Sequence, residues 1–329
     1  MKESKLFCEL PEYICTPDSM VLDKHGNLVL SCPNFADETM SGCVVKIDKA
    51  GKVTKWFDTP VHPETKVARN MGIDFDEKWN IYLCDNQGWS EKPELVYKGR
   101  ILKLTVDDAG NIKEQVTVAY NMEHPNGIKI KDGYMYVTQS CMHPATKDGD
   151  KLISGVYRFA LDEKEVKINN DFSDVNLFAT FTTQNLDCQY GVDGIAFDKA
   201  GDLYIGNFGD GEVFKLTLNS DGTLKEQKSF AKNTEELSTT DGMDFDEAGN
   251  LYIADFSKNA IAKVTPQGVV TRLAVSEDCT GLEGGLDQPG EPIVWGDKLI
   301  ASCFDLVTGP DKVNTAHELP ATLAYIDLK

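Results

Sequence analysis

A six-residue phrase recurs six times along the chain and constrains its fold more than any other feature. Most copies begin with a polar residue and continue as alternating apolar and polar residues. They are residues 18–23 (DSMVLD), 71–76 (MGIDFD), 126–131 (NGIKIK), 193–198 (DGIAFD), 241–246 (DGMDFD) and, less regularly, 291–296 (EPIVWG). A repeat at intervals of roughly 50 to 70 residues is typical of propeller architectures.

Most copies run through a Gly-Asn or Gly-Asp turn into a second apolar segment, such as residues 251–256 (LYIADF). Helical periodicity is almost absent, and short alternating runs are bounded by turn residues. The sequence therefore predicts an all-β, six-bladed β-propeller with four antiparallel strands per blade. The last blade is one strand short, and residues 5–10 (KLFCEL) can complete it. We expect N- and C-terminal strands to close the ring of a single domain, residues 1–329.

Several other features have structural interpretations. Asp76, Asp198 and Asp246 end the repeated phrase before a tight turn, so we expect them to form turns rather than bind ligands. Two insertions, residues 87–99 and 140–155, follow second strands and are expected to overhang one mouth of the ring. Nine cysteines without a CxxC pair argue against both a zinc cluster and a disulfide framework.

Composition limits the partners. The formal charge is −20, from 53 acidic and 33 basic residues, so nucleic acid is excluded as a favoured partner. No apolar segment is long enough for a membrane span, and residues 1–13 lack the apolar core of a secretory signal. The sequence predicts a cytoplasmic protein that acts on a small molecule.

The first residue of each copy matters most, because radial repetition places equivalent positions around one axis. Four carboxylates and one amide would repel one another there unless a cation lay among them, and oxygen ligands favour Ca²⁺, with Zn²⁺, Mg²⁺ and Mn²⁺ as alternatives. A shift of one residue in the last copy would bring Gly290 to the axis instead. The six first residues are Asp18, Met71, Asn126, Asp193, Asp241 and Glu291.

Two of these positions carry a family resemblance. Residues 124–128 read HPNGI and residues 191–198 read GVDGIAFD, followed by an LYIGNF strand. The chain here resembles the SMP-30/gluconolactonase/LRE family of six-bladed propellers, which has P-N-G-[IL] in blade 3 and P-D-G-[MI] in blade 4. The resemblance extends over essentially the whole chain, and it implies a calcium-dependent lactonase.

The resemblance also implies a metal site formed by a Glu of blade 1, the Asn of PNG and the Asp of PDG. On this chain the ligands would be Asp18, Asn126 and Asp193. Asp18 is a departure, since the family has E-G-P where this chain has D-S-M. Met71 is another, at a position where many members have a polar substrate contact, and the neighbouring Arg69 and Asn70 are candidates for that role.

The resulting hypothesis is a metal-dependent hydrolase of a lactone or related ester, with Asp193 as the first choice of base and Asp241 as the second. His124 and Glu291 are further candidates for substrate contacts. A lyase or strictosidine-synthase-like enzyme using a His or Glu at the mouth is one alternative, and a non-enzymatic NHL-type binding propeller is another. Trp89, Phe208 and Phe256 either line an apolar pocket or pack between blades.

Overall fold

A computed structural model describes residues 1–88, 92–142, 147–308 and 312–329. The chain forms six β-sheets arranged as a six-bladed propeller, which confirms the predicted fold class. Within each blade, four strands follow one another in antiparallel order from the axis outward. Short 3-10 turns lie at Pro93–Leu95, Phe208–Asp210 and Phe256–Lys258.

Blades 1 to 3 occupy the first half of the ring, and blades 2 and 3 each carry one additional short strand at an edge. Blade 1 contains β2 (Met20–Leu22), β3 (Leu28–Cys32), β4 (Cys43–Ile47) and β5 (Val53–Asp58). Blade 2 contains β6 (Asn70–Phe75), β7 (Ile81–Asp85), β8 (Gly99–Val106) and β9 (Ile112–Met122), and the short β14 (Val166–Lys167) pairs parallel to β9. Blade 3 contains β10 (Pro125–Lys131), β11 (Tyr134–Gln139), β13 (Lys151–Ala160) and β15 (Leu177–Thr182), and the short β12 (Lys147–Asp148) pairs with β13.

Blades 4 to 6 are more regular. Blade 4 contains β16 (Val192–Phe197), β17 (Leu203–Asn207), β18 (Glu212–Leu218) and β19 (Leu224–Lys232). Blade 5 contains β20 (Met243–Phe245), β21 (Leu251–Asp255), β22 (Ala260–Val264) and β23 (Val270–Val275). Blade 6 contains β24 (Pro289–Trp295), β25 (Lys298–Cys303), β26 (Thr322–Asp327) and β1 (Ser4–Glu9).

The ring is closed at both its inner and outer circumference. The innermost strand of each blade contacts that of the next, and β24 of blade 6 returns to β2 of blade 1. Strand β1 pairs antiparallel with β26, so Ser4 lies opposite Ile326 and Glu9 opposite Thr322. The expected closure by strands from both ends of the chain is therefore confirmed.

Apolar clusters lie between neighbouring blades. One of them joins Tyr252 and Ala254 of blade 5 to Leu299 and Ala301 of blade 6. Because both faces of each sheet pack against another sheet, the second strands of the blades are buried along almost their whole length, and β7 and β21 are buried completely. No helix among the described residues is long and apolar enough to cross a membrane.

The turn acids behave as predicted. The Asp76 carboxylate accepts hydrogen bonds from the backbone N–H groups of Lys78 and Asn80, at 2.9 and 2.8 Å. Asp198 and Asp246 make equivalent bonds within their own turns. These side chains fix the hairpins at the ends of the first strands, on the opposite end of those strands from the axial residues.

Candidate functional site at the end of the central channel

The innermost strands of four blades share a bulge that defines the axial position. In blade 4 the ladder is interrupted between Val192 and Ile195, and Asp193 is the first residue of the bulge. The same interruption in blades 2 and 3 makes Met71 and Asn126 its equivalents. In blades 1 and 5, Asp18 and Asp241 lie two residues before the first paired residues, Met20 and Met243, just as Asp193 lies two residues before Ile195, where pairing resumes.

The last repeat follows the alternative register. Its bulge lies between Pro289 and Pro292, so Gly290 is the equivalent of Asp193. The alignment of the six copies predicted Glu291 at the first position of the repeat. In the structure Gly290 occupies the first position, and Glu291 occupies the next. Four of the other five blades have glycine there, at Gly72, Gly127, Gly194 and Gly242.

The axial side chains form the floor of the largest cavity near the axis, which has a volume of about 840 Å³. Asp18, Asn126, Asp193 and Asp241 line this outer cavity, and they also line a small space deeper in the channel. They therefore separate the two spaces. Met71 contributes an apolar side chain to the outer cavity only.

Burial and mutual repulsion dominate the electrostatics of this floor. Asp18 and Asp193 are only 4% and 5% exposed. Burial and the charge of Glu291 raise the pKa of Asp18 to about 8. Burial is the main reason that the pKa of Asp193 is well above its ordinary value, and the charges of Asp18 and Glu291 raise it further. Burial also raises the pKa of Asp241, and the charge of Asp193 adds to that shift. A bound cation would relieve this repulsion.

The donor set fits a hard cation. Three carboxylates and the Asn126 amide supply oxygen atoms from four blades. The Asn126 amide nitrogen donates to Asp193 Oδ2 at 2.7 Å and to the Tyr190 hydroxyl at 3.4 Å. Among the described residues, no three axial acids bring ligand atoms within 4.8 Å of one another. A bound ion would therefore depend on the amide and on water as well as on carboxylates.

Glu291 lies in the deeper space, where the axial residues form the roof. Its carboxylate accepts a hydrogen bond from the Ser19 hydroxyl at 2.6 Å, and Lys129 Nζ lies 3.9 Å from Glu291 Oε1. Burial raises the pKa of Glu291 to about 6, although Lys129 opposes the shift. The side chain is absent from the lining of the outer cavity, so the predicted substrate contact by Glu291 is not supported by its position.

An aromatic wall rises from the floor on one side. Tyr190, Phe208, Phe256 and Phe304 follow one another edge to face or tilted, with ring centroids 5.1, 5.7 and 5.8 Å apart. The three phenylalanines are equivalent, since each directly follows the second strand of its blade. The predicted pocket role is therefore supported for Phe208 and Phe256, whereas Trp89 lies outside the described residues.

The remaining wall comes from loops of blades 2, 3 and 6. Gly88 and Val96 belong to the first insertion, and Cys141 and Leu152 belong to the second. The described parts of both insertions thus overhang the mouth, as predicted. Leu306, Val307 and Thr308 complete the wall from a blade 6 segment that sequence reasoning missed.

His124 reaches the cavity beside the axial floor. Its Nδ1 lies 3.5 Å from Glu123 Oε1, and its ring packs edge to face against Tyr190 at 6.4 Å. The Nδ1 atom is buried and has no hydrogen-bond partner. The side chain therefore contacts the space that a ligand would fill, as predicted for a substrate-binding residue, although that role stays a prediction.

Arg69 and Asn70 are placed elsewhere. The Arg69 guanidinium donates to backbone carbonyls of the blade 1 loop, including Pro33 at 3.0 Å. The Asn70 amide is fully buried and donates to Ser31 Oγ at 2.7 Å. Neither side chain lines the axial cavity, so both connect blades 1 and 2 instead of contacting a substrate there.

Comparisons with known proteins agree with this architecture. Residues 126–281 match the model of the SMP-30/gluconolactonase/LRE-like region. A luciferin-regenerating enzyme is 13% identical with a TM-score of 0.66, covering 99% of this chain and 95% of that one. A gluconolactonase from Xanthomonas campestris is 15% identical with a TM-score of 0.61, covering 100% and 90%.

Lyases share the fold as well. A virginiamycin B lyase from Staphylococcus aureus is 13% identical with a TM-score of 0.58, covering 99% of this chain and all of that one, 100%. No curated protein sequence matches the chain significantly. At these identities the solved structures establish the fold alone. The matched segment includes Asn126, Asp193 and Asp241 of the axial floor, and the chain accordingly contains an SMP-30/gluconolactonase/LRE-like region over residues 126–281.

Proposed function

We propose that the protein is a metal-dependent hydrolase of lactones or related esters. The observation that carries this proposal is the position of Asp18, Asn126, Asp193 and Asp241, four oxygen-bearing side chains that form the floor of a cavity of about 840 Å³. The gluconolactonase-like region over residues 126–281 supports a lactonase-type activity. The aromatic wall favours lactones with an aliphatic or aromatic substituent over polar sugar lactones.

Asp18, Asn126 and Asp193 are the proposed ligands of a divalent cation, with Ca²⁺ favoured because all three supply oxygen. When bound, the cation would polarise the lactone carbonyl and stabilise its developing negative charge. The ligands come from blades 1, 3 and 4. Backbone bulges position Asn126 and Asp193, and Asp18 lies at the equivalent position before the first strand of blade 1. Tyr190 orients the Asn126 amide through its hydroxyl.

Asp241 is the proposed base. Asp193 Oδ2 accepts a hydrogen bond from Asn126 at 2.7 Å, whereas Asp241 Oδ1 accepts one from the N–H of the adjacent Gly242 at 2.9 Å. We favour Asp241 over Asp193, the first choice from the sequence, because the Asp193 carboxylate is hydrogen-bonded to Asn126, another proposed ligand. Asp241 would accept a proton from a water molecule while the oxygen of that water attacks the carbonyl carbon. It would return that proton to the ring oxygen as the ester C–O bond breaks.

The test is proton release at constant pH across sugar, aliphatic and aromatic lactones, with Ca²⁺ and again after chelation. We expect chelation to abolish turnover, and Asp241→Asn to lower kcat by about 10²-fold or more without changing the affinity for Ca²⁺. Asp193→Asn should weaken both activity and Ca²⁺ binding. Asp198→Asn, which alters a distant turn acid, is the matched control and should change neither. Folded, Ca²⁺-loaded protein that hydrolyses no lactone would contradict the proposal.

A lyase is the second candidate, favoured by His124 and Glu123, which lie beside each other on the cavity wall. In that case the imidazole would move the proton instead of Asp241. His124→Ala would then abolish activity with Ca²⁺ binding intact, and the product would carry a new double bond, with no water incorporated. Mass spectrometry of the product in H₂¹⁸O separates the two reactions, since only hydrolysis adds the label.

A further inference from the structure

A second group of acidic side chains lies in blade 6, away from the axial floor. Asp287 precedes β24, Asp305 follows β25, and Glu318 precedes β26. Each offers a carboxylate oxygen, and these three atoms lie within 4.8 Å of one another. Among the described residues, this is the one group of three His, Cys, Asp or Glu side chains that converges so closely.

Two of the carboxylate oxygens are buried without any hydrogen-bond partner. Asp287 is 1% exposed, and its Oδ1 atom receives no hydrogen bond. The Oε2 atom of Glu318 is likewise buried and unpartnered. A buried carboxylate oxygen without a donor is costly, and a second carboxylate close by increases that cost. Something positive between them would remove both penalties.

The third acid is already held in position. Asp305 accepts hydrogen bonds from the Asn314 amide at 3.0 Å and from the Glu318 N–H at 2.7 Å. His317 Nδ1 lies 2.6 Å from the Asp305 carbonyl oxygen and 3.1 Å from its Oδ2. Because the imidazole nitrogen is engaged by Asp305, it does not reach the oxygens of Asp287 and Glu318 as a donor. One imidazole also does not neutralise three carboxylates.

We propose that Asp287, Asp305 and Glu318 bind a hard divalent cation of the calcium type, at a site separate from the axial floor. Oxygen-only ligands from three chain segments suit Ca²⁺ better than Zn²⁺. None of the three side chains lines the axial cavity. The site is independent of the proposed hydrolase activity.

The proposed blade 6 cation site lies next to residues that form the wall of the axial cavity. Asp305 lies between Phe304 and Leu306, which both line the cavity wall. Gln288, next to Asp287, holds the same segment, because its side-chain oxygen accepts from the Leu306 N–H at 2.6 Å. A cation joining Asp287, Asp305 and Glu318 would therefore anchor the blade 6 part of the wall to the strands on both sides of it.

The test begins with a variant that lacks two axial carboxylates, Asp18→Asn with Asp193→Asn. Calorimetric titration of this variant with Ca²⁺ should still show one binding site. Adding Glu318→Gln should weaken that site at least tenfold. Asp278→Asn, which changes a neighbouring exposed acid outside the trio, should alter the Kd by less than about threefold.

Wild-type crystals soaked in Tb³⁺ provide a measurement that needs no variant. The expected result is an anomalous peak within ligand distance of Asp287, Asp305 and Glu318. Absence of that peak, together with no Ca²⁺ binding to the axial variant at millimolar concentration, would overturn the proposal. If the axial floor binds no metal at all, the blade 6 site should still bind one equivalent in the wild type.

Discussion

In four of the six blades a glycine follows the axial residue, because two backbones meet there. A Cβ atom on Gly194 would lie 2.1 Å from the Asp241 carbonyl oxygen, and one on Gly72 would lie 2.2 Å from the Asn126 carbonyl oxygen. These glycines have no positive φ, so close approach, rather than turn geometry, requires them. The axial residues of neighbouring blades can share one site only because the intervening side chain is missing.

We predict that Gly194→Ala lowers the free energy of unfolding by about 3 kcal/mol or more, because a backbone carbonyl cannot move aside as a side chain can. Chemical denaturation measures the change. Gly133→Ala is the control, since Gly133 has a φ of +82° and open space around it. That variant should cost about 1 kcal/mol from backbone strain alone. Equal losses at the two positions would rule out the close-approach explanation.

Blade 6 departs from this rule, and the departure explains the position of Glu291. A Cβ on Gly290 would lie 3.2 Å from Asp18 Oδ1, so the axial position itself is kept small beside the Asp18 carboxylate. The following residue then carries the side chain, and Glu291 extends into the deeper space toward Ser19 and Lys129. Its charge therefore acts on the floor from below.

The residue that follows the second strand of a blade lines the mouth of the cavity in blades 4, 5 and 6. Phe208, Phe256 and Phe304 each follow that strand in blades 4, 5 and 6, whereas Asn86 and Ser140 occupy the position in blades 2 and 3. The phenylalanine rings at this position therefore lie on the half of the mouth that blades 4 to 6 form. A substrate is expected to place its apolar substituent against blades 4 to 6.

We predict that Phe256→Ala raises the KM for aliphatic and aromatic lactones about tenfold, because removing a buried ring forfeits about 1.5 to 3 kcal/mol of apolar contact. Sugar lactones should show little change, so the ratio of kcat/KM values between the two classes is the measurement. Phe178→Ala is the control, since Phe178 packs on Tyr136 in blade 3 and is absent from the cavity. A parallel loss for both lactone classes would mean that the ring acts only through stability.

The sequence was sufficient to predict the strands and the axial floor, because period-two alternation and the repeated phrase are local signals. The register of blade 6 was not predictable, since Glu-Pro replaces the Asp-Gly that marks the position elsewhere. Arg69 and Asn70, two residues and one residue before the axial Met71, contact blade 1 instead of lining the axial cavity, and the sequence pattern does not show the direction of side chains beside a bulge. Asp287, Asp305 and Glu318 come from three separate segments, and no periodicity connects them.

At the scale of the whole molecule, closure depends on one strand pairing. Strand β1 covers the edge of β26, which would otherwise expose unpaired backbone groups. The two ends of the chain are also adjacent, since Lys2 Nζ donates to the Asp327 carbonyl at 2.5 Å and to the Lys329 carbonyl at 3.3 Å. We therefore expect the stability of the ring not to depend on which strand comes first in the chain, provided that every blade keeps four strands.

A circular permutant tests this interpretation. Joining Lys329 to Met1 through a Gly-Ser linker of about six residues, and starting the chain at Gln267 in the turn before β23, leaves β23 to close blade 5 just as β1 closes blade 6. We expect this permutant to fold with a Tm within a few degrees of the natural chain, measured by calorimetry. Deletion of residues 1–9 is the comparison, since it leaves the outer edge of β26 unpaired. We expect it to lower the Tm by more than about 10 °C, on the order expected for several kcal/mol lost, and to promote aggregation. If the truncated chain were as stable as the natural one, the pairing of β1 with β26 would not be what holds the ring closed.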